Sequence, residues 1–247
     1  MFDYQAPQQS LEGRIILITG AGGGIGRAAA LSFASHGATI ILAGRTTKKL
    51  EAVYDEIEAL GAPQPAIIPL NLEGASPHEY DVVADTIDNE FGHLDGLLNN
   101  ASLLGTRTPI ENYDPSIWDQ VMQVNVNAQF YLTQAMLPLL MKSKDASIVF
   151  TSSGVGRTGR AYWGAYAVSK FATEGLMQTL ADELENTSSI RVNAINPGAT
   201  RTNMRAAAYP GENPNTLATP EQIMPAYLYL FGPDSKDTNG QSINAQD

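Results

Sequence analysis

Short aliphatic runs of strand length alternate with amphipathic stretches along the whole chain, and this alternation narrows the fold more than any other feature. Arg14-Ile15-Ile16-Leu17-Ile18-Thr19 is such a run, and glycines end it. Residues 26–37 then read as a helix with a glycine stop, Thr39-Ile40-Ile41-Leu42-Ala43 as a second strand, and residues 48–60 as a second helix closed by Gly61. Residues 66–70 give a third strand, 77–91 a helix and 94–99 a fourth strand. In the second half, 116–141 reads as one long helical stretch, 147–151 as a strand, 163–185 as a helix and 190–195 as a strand. Strands apolar throughout, each followed by a helix, need cover on both faces and so form a parallel sheet. Right-handed crossovers leave a doubly wound α/β sheet in three layers as the expected fold. No repeat of fixed period and no Gly/Ser- or Pro-rich linker interrupts the 247 residues, so a single domain is expected.

Between the first strand and the first helix stands Thr19-Gly20-Ala21-Gly22-Gly23-Gly24-Ile25-Gly26. Glycine is required where the chain turns sharply and where a pyrophosphate must approach the backbone, and the helix N-terminus beyond supplies unpaired N–H groups. A plain strand-to-helix turn also uses glycine, but this position is the context a dinucleotide site needs. No Gly-Lys-Ser/Thr follows, which argues against a P-loop. An NAD site places a carboxylate roughly 20 residues past the glycines, on the ribose 2′-hydroxyl. Here the second strand ends Leu42-Ala43-Gly44-Arg45, and no acidic residue occurs between Glu12 and Glu51. Arg45 can pair with a 2′-phosphate, aided by Lys48 or Lys49, so NADP(H) is expected over NAD.

Tyr166-Ala167-Val168-Ser169-Lys170 puts a phenol and an ammonium at i and i+4, on one helix face. A free tyrosine titrates near about 10 and is a poor acid or base at neutral pH; a nearby cation favours the phenolate. Such a tyrosine can protonate a carbonyl oxygen as hydride arrives, or deprotonate an alcohol in reverse. Ser153, just after the strand ending at Thr151, stands at the carboxyl end of the sheet and can hydrogen-bond the same oxygen.

Taken together, these motifs resemble the short-chain dehydrogenase/reductase family, in its compact single-domain branch with a Rossmann fold. The resemblance runs over nearly the whole chain. It includes the 19–26 loop, Asn99-Asn100-Ala101, Asn125 within Val124-Asn125-Val126, Ser153, the Tyr166/Lys170 pair, and Pro197-Gly198 with Thr202. The stretches 119–127 and 150–157, with 170–175, look like the bacterial YciK-type oxidoreductases of that family. The resemblance implies that Tyr166 is the general acid/base, and that Lys170 lowers its pKa and bonds the nicotinamide ribose. Ser153 would orient the substrate oxygen, and Asn125 would hold a water in a proton relay. The cofactor would lie along Gly20, Gly22, Gly23, Gly24, Ile25 and Gly26, with Asn71 and Leu72 by the adenine and Asn100 by its ribose. Pro197, Gly198, Thr200 and Thr202 would flank the nicotinamide, Thr202 doubling as a helix N-cap. A homodimer or homotetramer is also implied. Three departures from the family pattern stand out: Asn71 where many members carry Asp, Ser102 where glycine is usual, and an ending Gly240-Gln241-Ser242-Ile243-Asn244-Ala245-Gln246-Asp247 without Asp-Gly-Gly.

Composition sets the remaining bounds. Lys+Arg 15 against Asp+Glu 26 gives a net charge of −11, a poor match to nucleic acid. Residues 51–100 hold eleven of the acids and no Lys or Arg, which reads as a solvated outer surface, while 1–50 hold five basic residues against two acidic. Zero cysteines exclude disulfides, thiolate metal sites and cysteine nucleophiles. The first ten residues lack a basic segment followed by an apolar one, and no aliphatic run is long enough to span a bilayer, so a cytoplasmic location without a membrane partner is expected. Residues 203–219 read as a polar, irregular substrate loop. Leu103, Leu104, Val155, Trp163, Met204 and Tyr209 are candidates for an apolar substrate pocket, and Arg157, Arg160, Arg201 and Arg205 for cations at its mouth. The function expected is interconversion of a small-molecule carbonyl and alcohol; the alternative is a nucleotide-binding scaffold with little turnover. An epimerase or dehydratase acting on sugar nucleotides needs a larger C-terminal region.

Overall fold

A computed structural model describes residues 1–246. Seven strands form one sheet: β1 (Ile15–Thr19), β2 (Thr39–Gly44), β3 (Ala66–Pro69), β4 (Gly96–Asn99), β5 (Ser147–Thr151), β6 (Arg191–Asn196) and β7 (Ser242–Asn244). Their order is β3-β2-β1-β4-β5-β6-β7, and every adjacent pair is parallel. The order reverses direction beside β1, where the chain returns to build the second half on β4. That reversal opens a crevice at the carboxyl ends of the strands, where such folds bind their ligands.

The helices are α1 (Gly24–Ser35), α2 (Thr47–Ala59), α3 (Pro77–Phe91), α4 (Pro115–Met122), α5 (Ala128–Leu140), α6 (Gly164–Glu185), α7 (Asn203–Ala208) and α8 (Met224–Phe231). Two cores cover the sheet. Phe33, Tyr227 and Phe231 join the α1 and α8 side, and Tyr80, Leu132, Met136 and Met177 the α3, α5 and α6 side. The doubly wound α/β fold is therefore as expected, down to strands that are buried on both faces.

Local chemistry explains several boundaries. α3 opens on a capping box between Ser76 and Glu79 with Pro77 in its first turn, and stops at Gly92 in the left-handed region, φ 76°. The helix expected over 116–141 is not continuous. A π turn over Gln123–Asn127 separates α4 from α5, so the backbone bulges at Asn125. Residues 203–219 are not wholly irregular either: Thr202 caps α7, its hydroxyl accepting from Arg205 N at 3.1 Å. The third-strand and fourth-strand readings were each slightly long, because Leu70, Leu94 and Asp95 lie outside the ladders.

Candidate active site

A single cavity of about 730 Å³ follows the carboxyl edge of the sheet from the β1–β2 side to β6. Gly20, Gly22, Gly23, Gly24, Ile25, Arg45, Asn71, Leu72, Asn100, Ser153, Tyr166, Lys170, Pro197, Gly198, Thr200 and Thr202 all line it. Gly26 and Asn125 stand behind its wall.

The glycine loop is built for close approach. A Cβ on Gly26 would collide with the Gly20 carbonyl, and one on Gly22 would come within 2.9 Å of Lys49 Cβ. Gly23, by contrast, faces open space, and as N-cap of α1 it offers no side chain to the helix's first N–H groups. Orphaned donors at a helix N-terminus, bare of side chains and facing a cavity, fit the pyrophosphate of a dinucleotide. Arg45, 65% exposed, reaches the same cavity and pairs with Glu73 at 3.3 Å. Asn100 is partly committed to the fold: its amide donates to Thr19 O at 3.1 Å, while Thr19 Oγ1 accepts from Asn100 N at 2.9 Å. That staple joins the ends of β1 and β4 directly beneath the loop.

At the other end, the first half of α6 presents Tyr166 and Lys170 to the cavity. Burial pushes the Tyr166 phenol up to about 12, and a hydrogen bond with the Ser153 side chain acts in the opposite sense. Burial likewise pulls the Lys170 ammonium down to about 8, against the attraction of Glu174. The lowering of Tyr166 anticipated from its lysine is therefore not what the protein alone achieves. Lys170 Nζ lies 5.5 Å from the centre of the Tyr166 ring and donates instead to Thr151 O at 2.7 Å. Asn125 is fully buried, and its amide is spent on packing. It accepts from Leu103 N at 2.7 Å and donates to Leu103 O at 2.9 Å and Ser169 Oγ at 3.0 Å. The π turn thus pins the 101–105 loop, one wall of the cavity, to the helix that carries Tyr166.

The short chain dehydrogenase family model matches residues 14–213. The chain belongs to that family. Among relatives of this short-chain dehydrogenase, the uncharacterized oxidoreductase YciK of Escherichia coli (strain K12) is 53% identical over 98% of this chain and 96% of its own length. A short chain dehydrogenase structure from Pseudomonas syringae, 61% identical, superposes with a TM-score of 0.98 over 100% of both chains. Another, from Shigella flexneri 2a str. 301 and complexed with NADP, is 52% identical with a TM-score of 0.95, covering 98% of this chain and 100% of its own. The molecule is accordingly an oxidoreductase of the short-chain dehydrogenase family.

Three further residues of this dehydrogenase shape the site and were not anticipated. Glu174, one turn beyond Lys170, is buried and accepts from Ser152 and Ser242, with Arg157 Nε at 3.5 Å. Gln246 closes the question of the unusual chain end. Its amide donates to Pro197 O at 2.6 Å and Thr200 Oγ1 at 3.2 Å, and it packs over Gly198, which sits at φ 71°. Arg107 lies over both Trp163 and Tyr209, 4.8 Å from each ring centre, and donates to Ala208 O. Glu174 carried one legible signal, an acid at i+4 from a lysine on a buried helix face; the other two are long-range pairings that no local pattern announces.

Proposed function

We propose that this oxidoreductase uses NADP(H) to interconvert a carbonyl and an alcohol, with Tyr166 as the proton donor in the reducing direction. The observation that carries this reading is the continuity of one cavity. It joins the bare α1 N-terminus and Arg45 to the buried Tyr166 and the half-buried Ser153. The NADP found in the Shigella flexneri structure supports the same choice of nucleotide.

When bound, the reduced nicotinamide supplies a hydride. Gly20 to Gly26 would receive the pyrophosphate, Arg45 the 2′-phosphate, and Asn71 and Leu72 the adenine. Thr200 and Thr202, held by Gln246 and by the α7 cap, would flank the carboxamide beside Pro197 and Gly198. Ser153 orients the substrate oxygen toward Tyr166; burial keeps the phenol protonated, and the basic alkoxide oxygen formed as hydride arrives, with the Lys170 ammonium beside it, draws the proton away. Lys170 then offsets the phenolate charge left behind, and its ammonium, held here by Thr151 O, would bond the ribose. Asn125 serves through position: both amide hydrogens are committed, to Leu103 O and Ser169 Oγ, and hold the 101–105 loop against α6.

The face formed by α5 and α6 supports self-association, since Phe130, Val168 and Phe171 lie exposed there. Among the described residues no helix is long and apolar enough to cross a membrane.

The decisive experiment follows NADPH oxidation against a broad panel of aldehydes and ketones, with Tyr166→Phe as control. The wild type should turn over at least one carbonyl, and the variant should lose at least roughly 100-fold in rate while binding NADPH normally. A chain that binds NADPH but reduces nothing would be the nucleotide-binding scaffold instead.

A further inference from the structure

Beside Tyr166 the protein builds a third apolar cluster, separate from the two cores that cover the sheet. Val155, Trp163, Ala167 and Ala208 are buried in it with the ring of Tyr166, and Leu104, Met204 and Tyr209 pack against it half-buried. These residues come from four places: the 101–109 loop, the turn after β5, the start of α6, and α7. Neither face of the sheet needs them. Trp163 stands with its ring 5.6 Å from that of Tyr166 and 6.0 Å from that of Tyr209, tilted against both. Leu104, Trp163, Met204 and Ala208 also line the cavity, so a substrate held at Tyr166 lies against this surface.

The charges nearby decide what kind of substrate suits it. Four arginines were candidates for drawing an anion to the mouth, and the structure occupies two of them. Arg157 is turned away to Ser242, Asn244 and Glu174. Arg205 makes two bonds of 2.6 Å to Glu212 and lies 3.9 Å from the Tyr209 ring centre. Arg160 and Arg201 are exposed to solvent, and Arg201, like Arg205, lines the cavity. Arg107, the other arginine of this region, lies over the adjoining rings of Trp163 and Tyr209 and is bonded to the end of α7 through Ala208 O. Among the described residues lining the cavity, the carboxylates are Glu73 and Glu221, paired with Arg45 and Arg27 at its nucleotide end. A charged group seated against this surface would therefore be stripped of water against indole, thioether and aliphatic carbon, and the lining arginines left to meet it are Arg205, held by Glu212, and the solvent-exposed Arg201.

Resting on the carbonyl–alcohol reading above, we propose that the substrate is an uncharged carbonyl compound with a flat apolar body, packed against Trp163, and that Arg107 is the latch holding α7 over it. The carbonyl carbon accepts the hydride of NADPH, the π electron pair moves to oxygen, and oxygen takes the Tyr166 proton, giving the alcohol and NADP⁺. Arg107 touches neither the reacting atoms nor the cofactor. It lies over both rings and ties them to the end of α7, as a planar guanidinium can and an ammonium cannot.

A matched pair of probes tests this: ethyl benzoylformate, a neutral α-keto ester, and benzoylformate, the same aryl ketone with a carboxylate. Glyceraldehyde, small and hydrophilic, serves as the third. The ester should exceed the acid in kcat/KM by roughly 100-fold, the discrimination expected when a buried charge goes unpaired. Arg107→Met should raise KM for the ester roughly tenfold with kcat changed less, while its Kd for NADPH, read by fluorescence, stays at the wild-type value. That Kd also reports whether the variant is folded. Equal or greater activity on the acid, or loss of activity on the acid in Arg107→Met with the ester spared, would show Arg107 to be an anion receptor and overturn the proposal. Turnover of glyceraldehyde with neither aryl ketone would overturn the substrate class and leave the carbonyl–alcohol reading standing. Failure of all three, and of the wider panel, would take both down.

Discussion

Lys170 shows most directly what burial does to a single residue. Its ammonium is enclosed, and desolvation draws its pKa from the ordinary 10.5 to about 8, with Glu174 working against the fall. In the unfolded chain the same lysine holds its proton more tightly than in the native state. Between pH 8 and about 10.5 the unfolded state thus binds more protons, and native stability rises with pH on this account. The buried phenols of Tyr80 and Tyr166, raised to about 12, lose stability for the fold only once unfolded tyrosine begins to ionise, near about pH 10. Urea unfolding between pH 8 and about 9.5 should therefore show a gain of about 1–2 kcal/mol that Lys170→Met lacks. Parallel curves for the two proteins would contradict the buried ammonium. Arg45 presents the opposite case, an exposed side chain whose proposed value lies in recognition. Its pairing with Glu73 holds it at the cavity edge, where a 2′-phosphate would replace the carboxylate. Arg45→Ala should weaken NADPH by about 1–2 kcal/mol and NADH much less, whereas Glu73→Gln should tighten NADPH by up to about 0.5 kcal/mol. Calorimetric titration of both nucleotides would refute the role if R45A weakened them equally.

At the scale of elements, periodicity made the sheet legible and local chemistry made the glycine loop legible. β1, β2, β5 and β6 are apolar runs with glycine or helix signals at their ends, and each strand lies where its pattern places it, within a residue or two. The Tyr166/Lys170 pair was readable for the same reason, since both residues lie on one regular helix and need only the i, i+4 rule. What escaped depends on contacts between distant segments. The π turn at Gln123–Asn127 has no hydrophobic signature, because its extra residue is stabilised by Asn125 bonding to Leu103 and Ser169. β7 is three residues long and partly exposed, and it forms because β6 offers an open edge and Arg157 reaches Ser242 and Asn244. α7 was legible only at its cap, Thr202, because the stretch that follows, rich in proline and asparagine, reads as irregular. The apolar pocket residues were nameable one by one, yet the stacking of Arg107 on Trp163 and Tyr209 joins positions that only the folded chain brings together.

For the whole molecule, the net charge of −11 and the uncharged face of α5 and α6 belong to one argument. The acids gathered in residues 51–100 lie mainly on α2 and α3, and two molecules meeting there would set like charges against each other. Along the outside of α6, Val168, Phe171, Gly175 and Gln178 follow one another at three- and four-residue spacing, without a charge before Asp182. Asn127, Phe130, Gln134, Pro138 and Met141 do the same along α5. Phe130 and Phe171 keep 43% and 46% of their surface in water, which is costly for rings that a second copy could cover. The inner side of α6 carries Tyr166 and Lys170, so pairing two such faces would also brace the helix that holds the proposed acid. Sedimentation or light scattering at micromolar concentration should find the wild type at least dimeric, and Phe171→Glu monomeric. If α6 is braced in this way, the monomeric variant should also bind NADPH more weakly, because a less restrained Lys170 must be ordered again on binding. A wild-type chain that remains monomeric at these concentrations would leave the exposed phenylalanines without this role and would free α6 from any dependence on a second copy.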